Sequence, residues 1–373
     1  QSLDANTTGN NNTAVGQNSL STLVGSDRNV AIGAGSLNAF NGTDGADTYN
    51  TAVGFNAAND LTTGTANTII GGLAGDVLTT GDNNVVLGYQ ALGNDTKGSK
   101  NVAVGNSALL AQNFTSATDS YNVAVGHGAG AAVTTGTGNT FIGGLAGDAN
   151  TTAIENTAVG YRALSANTTG TVTNAFGADA LRLNTTANGN NAFGHSALEM
   201  NTTGAQNTAM GHRALTANTT ASSNTAYGAY ALTANTTGAE STAVGYETGM
   251  ANTTGRITAV GRHAVKSNTT AVEVTGIGYR ALRDNTTGAS NTAVGGDALL
   301  LNTTGYQNTA VGKSALYTQT TGVNNIAVGW QAGYAVSTGT GNTLIGANAG
   351  SGLTTPNQNT FVGVGSGSTV TSG

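Results

Sequence analysis

The phrase Asn-Thr-Ala-Val-Gly at residues 291–295 returns at 308–312, a period of 17. Its glycine recurs in 21 units from Gly16 to Gly363; nearly every interval equals that period, two are longer by four and one is shorter by one. A fixed short period constrains a chain more than local propensity does, because each unit is one structural step that stacks on the next. A step this short cannot hold a helical hairpin and suits one coil of a β-solenoid. The sequence therefore predicts an all-β fold, a parallel β-solenoid (β-roll) of about 21 coils, each one period long. At the ~4.8 Å strand spacing such a stack is a rod of roughly 100 Å.

Counting the Asn of Asn-Thr-Ala-Val-Gly as position one assigns faces to the coil. Position four is Val, Ile, Leu, Phe, Met or Tyr in every unit, and position three is nearly always Ala. Alternate strand residues face opposite sides, so hydrophobicity predicts position four as the core column and Ala at position three as outward. Gly at position five permits a corner with positive φ or close backbone approach. A second short strand is expected around position nine, which is Leu in 12 units and Gly in seven. Asn-Thr-Thr-Gly follows as a turn, with its Asn on an exposed edge. In the unit 291–305 this places Val294 and Leu299 inward, Gly295 and Gly305 at corners, and Asn302 outside.

The chain reads as a single β-solenoid over residues 1–373 with three zones. Residues 1–150 hold duplicated four-coil units, since 29–76 and 101–148 are near-copies, offset by four coils. Each copy carries a four-residue insertion, at Asn41–Asp47 and Asn113–Asp119, expected to protrude from one edge. Residues 151–320 are the regular coils, and 321–373 are terminal coils. With 8% charged and 5% aromatic residues, the chain cannot fill a wide core but can fill a thin one. Stability must then come from ladders summed over neighbouring coils.

Composition also narrows function. The net charge of −6 is spread thinly without a basic patch, which argues against nucleic acid. No apolar run is long enough to span a membrane. Cysteine is absent, which removes thiolate and disulfide chemistry and fits an exported fibre. No signal peptide or initiating Met is visible, and Gln1 reads as the end of a processed chain or the edge of a fragment. The absence of an obvious capping element predicts a segment of a longer rod or a subunit that stacks end to end.

Asn-Thr-Ala-Val-Gly, and Asn-Val-Ala-Ile-Gly at 29–33, resemble the head repeats of trimeric autotransporter adhesins. The longer phrase with Ala-Leu and Asn-Thr-Thr-Gly is similar to repeats of bacteriophage tail-fibre and bacterial surface proteins. The resemblance implies a left-handed parallel β-roll, often a homotrimer, acting in attachment or as a stalk.

Catalysis needs a pocketed cluster of titratable groups, and here acids and histidines are scattered, so an enzyme is not expected. No cofactor is expected either. His195 and His212 share position six in adjacent coils, about 5 Å apart, where a metal or pH-sensing pair competes with plain exposed turn residues. Position six also holds Tyr89, Tyr161, Tyr246, Tyr279 and Trp330, an aromatic face for sugar rings or a partner chain, or simple stacking at a corner. Asp76 and Asp148 alone do not supply the acid per turn that calcium solenoids use. Asn-X-Ser/Thr sequons give candidate glycosylation at Asn41, Asn94, Asn113, Asn150, Asn167, Asn184, Asn201, Asn218, Asn235, Asn252, Asn268, Asn285 and Asn302, set against ordinary turn chemistry. Repeated Thr raises ice binding, but adjacent Thr-Thr cannot both face one side of a strand.

These readings converge on a structural subunit of an extracellular fibre or filament, partnered by copies of itself as an end-to-end filament or homotrimer. A glycan- or surface-binding adhesin module is the alternative. Neither nucleic acid nor membrane insertion is expected.

Overall fold

The computed structural model describes residues 1–370 and shows a parallel β-solenoid of about 21 turns, one for each repeat of the phrase, with no helix among the described residues. The last three residues of the terminal zone, 371–373, lie outside the described residues. The chain divides into two compact units, Gln1–Gly189 and Asn190–Gly373.

In each unit every coil contributes one three- or four-residue strand of the phrase, and successive strands pair in parallel, position for position. In the first unit Thr140–Ile142 pairs with Thr157–Val159, aligning Phe141 with Ala158. In the second, Thr292–Val294 pairs with Thr309–Val311, aligning Ala293 with Ala310. The irregular intervals do not disturb this register. Val30 aligns with Thr51 across the first insertion, and Thr242 with Thr258 across the shortened coil. The extra residues leave the sheet instead. Asn41, Asn113 and most of their neighbours are exposed, while Phe114 tucks in at 6% exposure.

The strand's faces are the reverse of the hydrophobicity reading. Ala31, Ala158, Ala243 and Ala293 at position three are fully buried, whereas Val15, Ile32, Leu87 and Ile142 at position four are exposed. Space decides this outcome. Leu at position nine enters the core from the opposite wall (Leu20, Leu164 and Leu299 are all 0% exposed) and leaves room for little more than Ala. Where position three is Ile69, Phe141, Leu344 or Phe361, position nine of the same coil is Gly75, Gly147, Gly350 or Gly367. A Cβ on Gly147 would lie 2.4 Å from Phe141 Cε1. Close packing admits one large side chain per layer here, from either wall.

The wall around position nine is not a second strand. Positions seven and nine are left-handed, as at Asp297 (φ 60°) and Leu299 (φ 49°), so the segment is a run of turns. Its amides still bond between coils, with Leu299 N donating to Ala315 O at 3.0 Å. A left-handed Leu costs about 1–2 kcal/mol. Burying its side chain returns about 1.5–3 kcal/mol, so burial wins.

The corner at position five is glycine for a steric reason. Gly54 (φ 139°) and Gly295 (φ 133°) lie against the next coil's backbone. A Cβ on Gly54 would sit 2.5 Å from Gly71 O, and one on Gly295 would sit 2.6 Å from Gly312 C and O.

Two columns of asparagine run inside the coils. At position one, Asn84 Nδ2 donates to Asn67 Oδ1 at 3.1 Å, and Asn67 Nδ2 to Asn50 Oδ1 at 3.1 Å. At position twelve, Asn302 Nδ2 donates to Asn285 Oδ1 at 2.7 Å, and Asn285 Nδ2 to Asn268 Oδ1 at 3.0 Å. The columns converge: Asn291 and Asn302 both donate to Gly305 O, at 2.6 and 2.9 Å. Asn302 is thus interior, at 0% exposure, and the exposed edge expected for it is corrected. The buried carbonyl at position fifteen demands donors, and Asn supplies one to it and one along the column.

Candidate functional site

With position three inside, positions two, four and six form the outer face of each strand. Thr, Asn or an aliphatic residue stands at two, an aliphatic or aromatic residue at four, and a variable residue at six. Within each unit these rows repeat from coil to coil at the ~4.8 Å spacing of paired strands.

Tyr89, Tyr161, Tyr246, Tyr279 and Trp330 are 43–54% exposed, as the aromatic-face reading requires. They are not brought together, because intervening coils carry other residues at position six. Tyr161 and Tyr279 instead lie under the guanidinium groups of Arg162 and Arg280, at 4.9 and 4.7 Å. Only Tyr246 joins a series of rings. His195 and His212 lie 5.4 Å apart, then His212 and Tyr230 5.2 Å, Tyr230 and Tyr246 6.1 Å, and Tyr246 and His263 5.8 Å. The spacing of the histidine pair agrees with the sequence estimate. Tyr230 and His263 stand at position seven, so a single-column reading does not join them to the series, which crosses from one position to the other. Tyr317 and Tyr334, at position ten, form a further stack at 5.1 Å.

The charged end of this series is a compact cluster. Lys266 Nζ bonds Glu247 Oε2 at 2.5 Å, and His263 Nε2 lies 3.3 Å from the same oxygen. The Lys266 bond holds the Glu247 carboxyl below its usual range. Burial, then the charges of Lys266 and Arg262, hold His263 below its usual value, so it stays neutral at pH 7. The hydrogen bond to Glu247 pushes Tyr246 up. Among the described residues no three or more His, Cys, Asp or Glu side chains gather as a metal site.

The two insertions are fastened alike. Arg28 pairs with Asp47 and lies over Tyr49 at 5.8 Å; four coils on, Lys100 pairs with Asp119 at 2.5 Å and lies over Tyr121 at 5.1 Å. The bond to Asp119 raises Lys100 to about 12. These pairs are solvent-exposed, so screening leaves them a minor part in stability. Asp76 and Asp148 are likewise equivalent, and burial raises both carboxyls above the ordinary value.

The sequons separate into two groups. Asn150, Asn167, Asn184, Asn201, Asn218, Asn235, Asn252, Asn268, Asn285 and Asn302 are 0% exposed members of the position-twelve column. Their exposed-turn reading is corrected: in the folded coil there is no room for a glycan on these amides. Asn41, Asn94 and Asn113 stand off the column and are exposed. A glycan acceptor must be accessible, and these three satisfy that condition.

No helix among the described residues is long and apolar enough to cross a membrane. No protein-family model matches the chain, and no curated protein is significantly similar to it.

Proposed function

We propose that the chain is a structural module of an extracellular fibre, a repetitive spacer that associates with further copies of itself. The observation that carries this reading is the closure of hydrogen bonding from coil to coil. Backbone, Asn and Thr ladders all run along the stacking direction, as in Thr286 Oγ1 to Thr303 O at 2.9 Å and Thr303 Oγ1 to Thr320 O at 3.1 Å. Such an architecture adds coils without needing a wider core. The resemblance to adhesin heads and tail-fibre repeats favours a location outside the cell, and copies joined end to end or side by side as a homotrimer. Negative-stain imaging and light scattering of the purified chain test it. Filaments or a defined multimer are the expected result; monomeric particles of one short length at every concentration would sink the self-association.

The exposed rings favour a second reading, a surface that binds glycans. Aromatic faces with polar neighbours suit sugar rings, apolar on one side and wet on the other.

A further inference from the structure

The first unit carries a notch of about 200 Å³ on the outer wall of its first three coils. Its origin is a local loss of side chains. Coil one presents Gln17-Asn18 at positions six and seven, coil three presents Phe55-Asn56, and the coil between presents Ala34-Gly35. Ala34-Gly35 is the one place among the 21 units where both positions are Ala or Gly. Phe55, 62% exposed, forms one wall. The floor is Gly35, where an added Cβ would lie 2.2 Å from Asn56 Oδ1. Asn38 and Asn59 from position ten complete the rim.

The lining is one aromatic ring with five amide side chains and no charged group. Asn38 Oδ1 accepts from Ser21 Oγ at 2.6 Å, which leaves its amide protons to donate outward. Asn59 Nδ2 donates to Asp60 Oδ1 at 2.7 Å, which leaves its carbonyl to accept. The side chains of Gln17, Asn18 and Asn56 have both functions available. Amides that donate and accept match hydroxyls, which also do both, and the ring offers a face for C–H groups. A nucleotide is a poorer fit, since its phosphate meets no cation here.

We propose that this notch binds a single neutral pyranose ring, seated on Phe55 and held by the surrounding amides. The proposal gives the glycan-binding reading a site of its own, distinct from the column of tyrosines, and rests on that reading rather than on self-association. The near-copy four coils on supplies an internal contrast. There Asn106-Ser107 replace Ala34-Gly35, and His127, Gly128 and Ala131 replace Phe55, Asn56 and Asn59, so the notch is not repeated.

Saturation-transfer NMR on the full chain, with the methyl pyranosides of glucose, galactose and mannose at millimolar concentration, tests it. Transfer to ring protons of at least one glycoside is expected, with affinity reduced at least tenfold in Phe55→Ala and in Ala34→Tyr. The second variant fills the notch with a residue that position six already holds in other coils, and circular dichroism confirms its fold. Gln17→Ala, at an exposed side chain, gives a milder loss and a further check. No transfer from any neutral glycoside, stronger transfer from N-acetylneuraminic acid than from all of them, or binding unchanged in these variants overturns the assignment. Each outcome is read separately from the imaging of filaments.

Discussion

Position twelve is filled in two ways by one backbone. In the first four complete coils it is Leu23, Phe40, Leu61 and Leu78; from Asn150 to Asn302 it is Asn in every coil. All are fully buried. The apolar coils gain by removing surface from water, which is a local and nondirectional term. The amide coils gain through two bonds per Asn, one to a carbonyl of its own coil and one along the column that needs the adjacent coil to carry the same residue. An apolar coil therefore tolerates a different neighbour, and an amide coil does not. The boundary shows the difference. Asn302 Oδ1 is buried without a hydrogen-bond partner, because the next residue of the column, Gln319, sends its Nε2 to Gly322 O at 2.8 Å.

The largest expected effect is one that ignores this difference. Gly54→Ala and Gly295→Ala, one in each kind of coil, drive a Cβ into the next coil's backbone. Each is expected to cost at least about 4 kcal/mol in denaturant unfolding. A large loss in only one of them would tie the corner to the column.

Exchanging the two fillings comes next. Leu61→Asn buries an amide between Phe40 and Leu78 on its column and is expected to cost about 3–4 kcal/mol. Asn218→Leu removes the 2.8 Å bond to Asn201 and the 3.2 Å bond from Asn235 and is expected to cost about 2 kcal/mol. Equal costs would mean that the column does not distinguish the two chemistries.

Gln319→Asn should extend the amide column by one coil and satisfy Asn302 Oδ1. A gain of about 1 kcal/mol is expected, read as a rise in the unfolding midpoint; a loss would show that the column ends at Asn302 for another reason.

The smallest effect compares the coils with a half-buried carboxyl, Asp76 and Asp148, with the rest. Burial raises Asp76 above its ordinary value of 3.8, so the folded state prefers the protonated form. Its contribution is therefore fully present below 3.8 and is lost as pH rises through the raised folded value. Asp76→Asn is expected to gain a few tenths of a kcal/mol at neutral pH and to show less stabilisation on acidification. An unchanged pH profile would remove burial as the cause.

The period, the parallel pairing, the corner glycine and the inward Leu at position nine were all legible, because repetition states them up to 21 times. The strand's faces were not. Ranking Val294 above Ala293 by hydrophobicity ignores the volume left by Leu299. The signal was nonetheless present, in Phe141 with Gly147 and Leu344 with Gly350, as compensating sizes within a coil. Asn302 misled for a different reason: Asn-Thr-Thr-Gly has turn composition, and only the convergence of Asn291 and Asn302 on one carbonyl places it inside. The ring series was partly legible through His195 and His212, and it escaped a single-column reading at Tyr230. The notch at Ala34-Gly35 was invisible to a search for recurring residues, because it is where the recurrence fails.

The corner glycines have a consequence at the level of the gene. Each fits against its successor with the same few contacts, so coils within a run of one kind are interchangeable parts. Gain or loss of one coil's codons by unequal recombination leaves every remaining interface with a partner it already recognises. The near-copies in the first zone, offset by four coils, keep the same register as the single-coil repeat.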